Sequence, residues 1–265
     1  LVFLIGSVQF INTLDFIMVM PLGPDFAKAL GIPSSDLGFV GGSYTAAAAL
    51  AGIVGAFFLD QFDRRRALAV ALAGLVVGTA AGGVATGLVS LLAARVVAGA
   101  FGGPAGAIAI AIASDMVTPE RRGRAMGAVM GAFSVASVLG VPAGLELARL
   151  GGWRMPFFTV AALGAVVTAA AIAMLPPQRA PLSPERCAVP APFRDLLSRP
   201  VVQLALACTA AGVIANFALM PNISAYFQFN RGYPRDELSL LYMIGGAISF
   251  GTMRIAGWLT DRHGA

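Results

Sequence analysis

Residues 67–114 read ALAVALAGLVVGTAAGGVATGLVSLLAARVVAGAFGGPAGAIAIAIAS, and the only charge among them is Arg95. The two apolar runs in this stretch, Ala67 to Val89 and Leu92 to Ser114, are each long enough to cross about 30 Å of hydrocarbon as helices. Neither run alternates apolar with polar residues in the two-residue period of a barrel strand, and both are rich in Ala and Gly. A helix also closes its own backbone hydrogen bonds, which lipid cannot do for it. The stretch therefore predicts two membrane-spanning helices joined by a short turn.

The same criteria, carried outward, give six more spans. They are Leu1 to Pro21, Leu37 to Leu59, Ala125 to Leu147, Met155 to Leu175, Val201 to Ala225 and Leu238 to Leu259. The whole chain agrees: of 265 residues 58% are hydrophobic and 12% charged, with a mean hydropathy of +0.82. A soluble domain carries about a quarter charged residues, so too little polar side chain exists here to coat a globule. The fold class is an all-α polytopic membrane protein. Cys187 and Cys208 show no pairing or metal-binding pattern, and no cofactor is implied.

Arginine and lysine sort by loop. Arg64, Arg65, Arg66, Arg121, Arg122, Arg124, Arg179, Arg186, Arg194, Arg199 and Arg262 follow even-numbered spans, whereas Lys28, Arg149, Arg154, Arg231 and Arg235 follow odd-numbered ones. The positive-inside rule then places both ends in the cytoplasm. It also accounts for a pI near 9.9 without a nucleic-acid partner. The proline-rich stretch 176–200 reads as a cytoplasmic linker between a six-span unit, residues 1–175, and two further spans, residues 201–265. The chain opens within an apolar run and closes just after a span, and it reads as incomplete. Small residues at four-residue spacing, Gly74 with Gly78 and Gly82, Gly99 with Gly103, Gly102 with Gly106, Gly127 with Gly131, and Gly140 with Gly144, predict close helix crossings.

Five motifs carry a resemblance. Gly52-Ile-Val-Gly55-Ala-Phe-Phe-Leu-Asp60-Gln-Phe-Asp63-Arg64-Arg65-Arg66 follows span two, and Gly257-Trp-Leu-Thr-Asp261-Arg262-His263-Gly264 follows span eight. Both resemble the glycine, aspartate and basic-cluster signature of the major facilitator superfamily. In the earlier copy Gln61 stands at a usually basic position and Asp63 at a usual glycine. Arg95-Val-Val-Ala98-Gly99-Ala-Phe-Gly102-Gly103 resembles the superfamily's arginine motif in span four, with Ala98 where glutamine is common. Gly140-Val141-Pro142-Ala143-Gly144, followed by Gly152-Trp153-Arg154, is similar to the antiporter motif of the twelve-span drug and sugar efflux branch. Leu14-Asp15-Phe16-Ile17-Met18-Val19-Met20-Pro21 is similar to arabinose-efflux permeases.

The resemblance implies two six-helix bundles and alternating access. This chain would then hold the first bundle and two spans of the second, and a parent of about twelve spans. It implies a proton-coupled inner-membrane exporter of drugs, sugars or related small molecules, such as confers multidrug resistance, working as a monomeric carrier with protons and the lipid bilayer as its other partners. The alternative within the superfamily is a metabolite facilitator or symporter. A non-transporting receptor is a further reading. An intramembrane enzyme lacks support, since no HExxH or GxSxG occurs and His263 is the sole histidine.

A carboxylate facing lipid costs about 2.5 to 3.5 kcal/mol on insertion scales, so Asp15 should face the bundle interior, be protonated or have a cation partner; the resemblance implies that spans one and four lie together, which makes Arg95 the candidate. The pair reads either as a proton-coupling site, where desolvation and the guanidinium pull protonation in opposite directions, or as a static ion pair. Asp60 with Arg64 and Arg65, and Gly257 with Asp261 and Arg262, read as a conformational latch or, for the arginines, as topology anchors; Asp115 is the expected carboxylate partner of the arginines. Gly140, Pro142 and Gly144 predict a kink in span five that serves as hinge or seal, or packs plainly. Gln9, Asn12 and Asn216 are candidate cavity-lining groups.

Overall fold

A computed structural model of the chain describes residues 2–58, 62–115, 129, 131–132, 135–175, 198–234 and 237–263. Among the described residues the regular structure is helical and no strand occurs. In chain order the helices are α1 (Val2–Met18), α2 (Gly23–Leu30), α3 (Leu37–Phe58), α4 (Arg64–Gly83), α5 (Leu88–Asp115), α6 (Val141–Gly151), α7 (Met155–Met174), α8 (Pro200–Ala225) and α9 (Leu238–His263). Four of them, α3, α4, α5 and α7, are long and apolar enough to cross a membrane, and α1 with α2 makes a fifth span bent by 55°.

Several boundaries depart from the apolar runs, for a common reason: hydropathy marks where a chain leaves lipid, while helix ends are set by capping. The carboxylate of Asp63 accepts the Arg66 backbone N–H at 3.1 Å, so α4 starts inside the arginine cluster, three residues before the expected Ala67. At its other end α4 stops at Gly83 rather than Val89. There the Ser90 hydroxyl accepts the backbone N–H groups of Thr86 and Gly87, which makes the turn tight and lets α5 begin at Leu88. The helix α1 ends at Met18, three residues before the expected Pro21, and the expected loop holding Lys28 is instead α2. Pro24 sits in the first turn of α2, where its missing donor costs nothing, and Gly31 closes the helix at φ +65°. The expected loop at Asp261, Arg262 and His263 is also overturned, because α9 continues through them.

Pro142 is the second residue of α6, just after a wide turn over Ala136–Gly140 in which the Val141 N–H reaches back to the Ala136 carbonyl. The ladder thus shifts register immediately before the residue that cannot donate, so the span distorts here by a π-turn as well as a proline.

Glycines set the crossings. On α5, Gly99 lies against the Tyr44 carbonyl and a Cβ at Gly103 would stand 2.5 Å from the Ala48 carbonyl, both on α3. One step round the same helix, Gly102 and Gly106 lie under Asn12 of α1. On α4, Gly74 and Gly78 meet Phe101 and Ala98 of α5, while Gly82 meets Phe157 of α7. Gly140 meets Leu14, and Gly144 lies 3.9 Å from Met18. A Cβ at Gly131 would meet nothing within 4 Å among the described residues, and Gly127 lies outside them. The helices α1, α3, α4, α5 and α7 thereby form one packed group. Val70, Val77, Leu50, Ile53 and Val166 are exposed on its outside, the distribution expected where the surrounding solvent is lipid. On this group α8 touches α2 and α3, while α9 packs on α6 and the wide turn before it, with Gly246 against Val138.

Candidate functional site

In the packed centre, α1 and α5 bring Asp15 and Arg95 together. Both side chains are sealed from solvent, at 0% and 1% exposure. The guanidinium grips the carboxylate with two bonds, Nη2 to Oδ2 at 2.7 Å and Nη1 to Oδ1 at 3.2 Å. This two-pronged geometry is the strong form of an arginine and carboxylate contact. Arg95 lies about two turns inside the start of α5 at Leu88, and Asp15 one turn before the end of α1. The pair therefore sits at membrane depth.

Two further side chains complete the site, and neither stood out in the sequence. From α4, Thr79 donates its hydroxyl toward Asp15 Oδ1 at 2.7 Å, with the Leu75 carbonyl at 2.8 Å as a second acceptor. From α3, the ring of Tyr44 lies 4.7 Å from the Arg95 guanidinium carbon, within the range of a cation–π contact. The Tyr44 hydroxyl donates to Asn12 Oδ1 at 2.9 Å. Four helices thus contribute one polar group each, held close by Gly78, Gly99 and Gly102 at the three crossings. Thr79 follows Gly78 at once in α4, and Tyr44 provides the carbonyl against which Gly99 packs. A hydroxyl directly beside a crossing glycine in an otherwise apolar span was the available signal.

Asn12 therefore joins the network rather than standing alone. Gln9, one turn earlier on α1, lies over Gly106, and its Oε1 is buried without a partner. Arg95 Nε and the Tyr242 hydroxyl of α9 are likewise buried without one. Asn216 lies within α8.

Away from this centre, the Arg64 end of the bundle is tied by two contacts. Arg64 pairs with Asp115 at the close of α5, and Arg65 donates to the carbonyl of Ile172 near the close of α7. Arg64 is thus brought to the expected carboxylate. Asp60 lies outside the described residues, as do Arg121, Arg122 and Arg124. Gly257, Asp261 and Arg262 lie in the last turns of α9. At the opposite end Arg154 donates to the Ala85 carbonyl at 3.1 Å and lies over Trp153, whose ring meets Phe26 of α2 and Phe157 of α7 edge-on. Glu146 and Arg149 form a local exposed pair at 2.5 and 2.9 Å. Among the described residues no cluster of His, Cys, Asp and Glu could hold a metal ion.

The pair is buried and shared between two helices. It can bind or release a proton when its surroundings change, and it can lock helices together.

The family model of the Major Facilitator Superfamily matches residues 5–265 of the chain. The chain is 31% identical over 150 residues to the inner membrane transport protein YdhP of Escherichia coli strain K12, covering 56% of this chain and 37% of that protein. It is 29% identical over 158 residues to a chloramphenicol resistance protein of Streptomyces lividans, covering 57% and 38%. Less than two fifths of either relative is thus matched. Among solved structures, a bacterial homologue of the human lysosomal transporter Spinster, inward-facing and unoccupied, is similar with a TM-score of 0.79 at 20% identity. That likeness covers 98% of this chain and 62% of the other and concerns the fold alone.

Proposed function

Because the chain belongs to the Major Facilitator Superfamily, we propose that it acts in secondary transport, as the first six-span bundle (1–175), the linker (176–200) and two spans of the second bundle (201–265) of a proton-coupled exporter. The linker and both chain ends lie on the cytoplasmic side of an inner membrane. Asp15 carries the coupled proton. Arg95, whose guanidinium stays charged, holds the ionised carboxylate while the site is sealed. Opening of the cavity lets water reach Asp15 and protonate it, which weakens its hold on Arg95 and frees α1 and α5 to shift; return to the ionised state restores the grip. Gln9, Asn12 and Asn216 line the path of a small neutral or polar solute. The Arg64 and Arg65 ties, with Asp60, form a cytoplasmic latch, repeated by Gly257, Asp261 and Arg262. Gly140, Pro142 and Gly144, with the wide turn before them, form the hinge on which the second bundle rests.

The observation that carries this reading is the fully buried, doubly bonded Asp15 and Arg95 pair. A soluble-protein core can replace such a pair by apolar residues with no loss of stability, so its retention in a helix-packed membrane centre argues for use. The names of the matched relatives, a transport protein and a chloramphenicol resistance protein, support export of drug-like solutes. The same pair, doubly bonded and sealed, also suits a facilitator in which it stays closed.

The test is accumulation of chloramphenicol and a panel of drugs and sugars in cells expressing the complete reading frame, with and without a protonophore. Asp15→Asn is expected to abolish protonophore-sensitive efflux while the protein still reaches the membrane. Efflux that survives the substitution would remove the coupling role, and transport indifferent to the protonophore would favour the facilitator.

A further inference from the structure

Thr79 has one hydroxyl hydrogen and two acceptors within reach. The Asp15 carboxylate oxygen Oδ1 lies at 2.7 Å and the Leu75 carbonyl, four residues back on α4, at 2.8 Å. Only one can receive the hydrogen at a time. Thr79 itself is 1% exposed, so no bulk water substitutes for either partner, and a buried donor or acceptor left unmade is costly.

Asp15 faces the same difficulty from the other side. As a carboxylate it accepts from Arg95 Nη1, Arg95 Nη2 and Thr79. As a carboxylic acid it becomes a donor on one oxygen, and that oxygen needs an acceptor. Nη2 already points at Oδ2 from 2.7 Å, so a proton on Oδ2 would meet another donor. Oδ1 has the longer guanidinium contact and faces a hydroxyl that can reverse its role. Among the described residues, no charged or titratable side chain around the site other than Arg95 is hydrogen-bonded to the Asp15 carboxylate. Arg95 from α5 only donates, and Tyr44 from α3 gives its hydroxyl to Asn12. From α7 the polar side chain Thr168 donates to the Gly164 carbonyl at 2.7 Å, and Glu146 of α6 is taken by Arg149.

We propose that the Thr79 hydroxyl is the positioning group that keeps Asp15 hydrogen-bonded in both of its protonation states. With Asp15 ionised, Thr79 donates to Oδ1. When a proton arrives from water on Oδ1, the Oδ1–H group donates to Thr79 Oγ1, and the Thr79 hydrogen turns to the Leu75 carbonyl. No covalent bond besides the new O–H forms, no heavy atom moves, and loss of the proton to water reverses every step. The inference rests on the reading that Asp15 carries the coupled proton.

The test is infrared difference spectroscopy of the purified full-length carrier in lipid vesicles, between acid and alkaline pH, where no transported solute is required. The wild-type protein is expected to show a protonated carboxyl C=O band that Asp15→Asn removes. Thr79→Val, which keeps shape but has no hydroxyl, is expected to shift that band to higher wavenumber, since the carbonyl of a carboxylic acid stiffens when its O–H loses an acceptor. Thr79→Ser is expected to leave the band in place, and Thr79→Cys, with a weaker thiol, to move it part of the way, which keeps the test open if the valine variant does not fold. A band removed by Asp15→Asn but unmoved by valine and cysteine at position 79, or moved equally by serine, would overturn the role of Thr79. A spectrum in which Asp15→Asn removes nothing would instead overturn the coupling reading, and the inference with it.

Discussion

Replacing Gly78 by alanine places one methyl group in the crossing of α4 and α5. A Cβ there would stand 2.5 Å from the backbone nitrogen of Ala98, 2.7 Å from its Cα and 2.9 Å from its Cβ, whereas ordinary contact begins at 3.4 Å. Two of the three obstacles are backbone atoms, so no side chain can rotate away, and the helices must part by about 1 Å. Overpacking of a well-filled crossing costs about 1–3 kcal/mol. Alanine returns up to about 1 kcal/mol through its higher helix propensity, so the proper control is a glycine with the same propensity gain and no obstacle. Gly42, within α3, has nothing within 4 Å. The difference between Gly78→Ala and Gly42→Ala is therefore the packing term alone. It is expected to lower the thermal midpoint of the purified carrier by roughly 2–12 °C, taking about 2–4 °C per kcal/mol. The consequence reaches the polar centre, because Thr79 is the next residue on α4 and Arg95 lies one turn before Ala98 on α5. Parting these helices pulls two of the partners of Asp15 away from each other, so protonophore-sensitive efflux should fall alongside stability. A Gly78→Ala protein as stable and as active as Gly42→Ala would refute the claim that this crossing sets the spacing of the site.

The buried pair and the partly exposed pair of Arg64 with Asp115 should respond differently to loss of charge. Arg95→Gln leaves the Asp15 carboxylate sealed without its cation and is expected to destabilise the carrier by about 3–5 kcal/mol, whereas the double substitution Asp15→Asn with Arg95→Gln recovers part of that loss in thermal unfolding. Arg64→Gln breaks a pair whose side chains are 19% and 46% exposed, so its cost is at most about 1 kcal/mol and shrinks further in high salt, a contrast that the same unfolding assay reads directly.

Much of the fold was legible because lipid imposes one rule on every span. Uninterrupted apolar runs of about 20 residues have to be helices, and the described helices other than α2 fall where those runs lie. The glycine spacing also foretold tight crossings, though not their partners. Gly74, Gly78 and Gly82 look like a single stripe, yet Gly82 meets α7 while the other two meet α5. What hydropathy could not give was the ends of elements. These depended on Asp63 accepting a backbone N–H, on Ser90 doing so twice, and on Gly31 turning left-handed. Short-range hydrogen bonding of this kind leaves little trace in an average over twenty residues.

The polar centre divides along the same line. Asp15 and Arg95 were visible because a charge inside an apolar span needs a partner or a use, and the family resemblance suggested that the first and fourth spans lie together. Thr79 and Tyr44 were invisible because each alone is an ordinary membrane residue: a threonine can satisfy itself on the carbonyl four residues back, and a tyrosine can sit at a headgroup. Their significance comes from where the glycine crossings put them. A chain that packs its helices through Gly78 and Gly99 cannot avoid delivering Thr79 and Tyr44 to whatever lies between α1 and α5. The small residues and the polar ones then act together: close approach excludes water, exclusion of water makes every unmade hydrogen bond expensive, and a hydroxyl able to donate or accept can keep a buried carboxyl hydrogen-bonded whether or not it is charged.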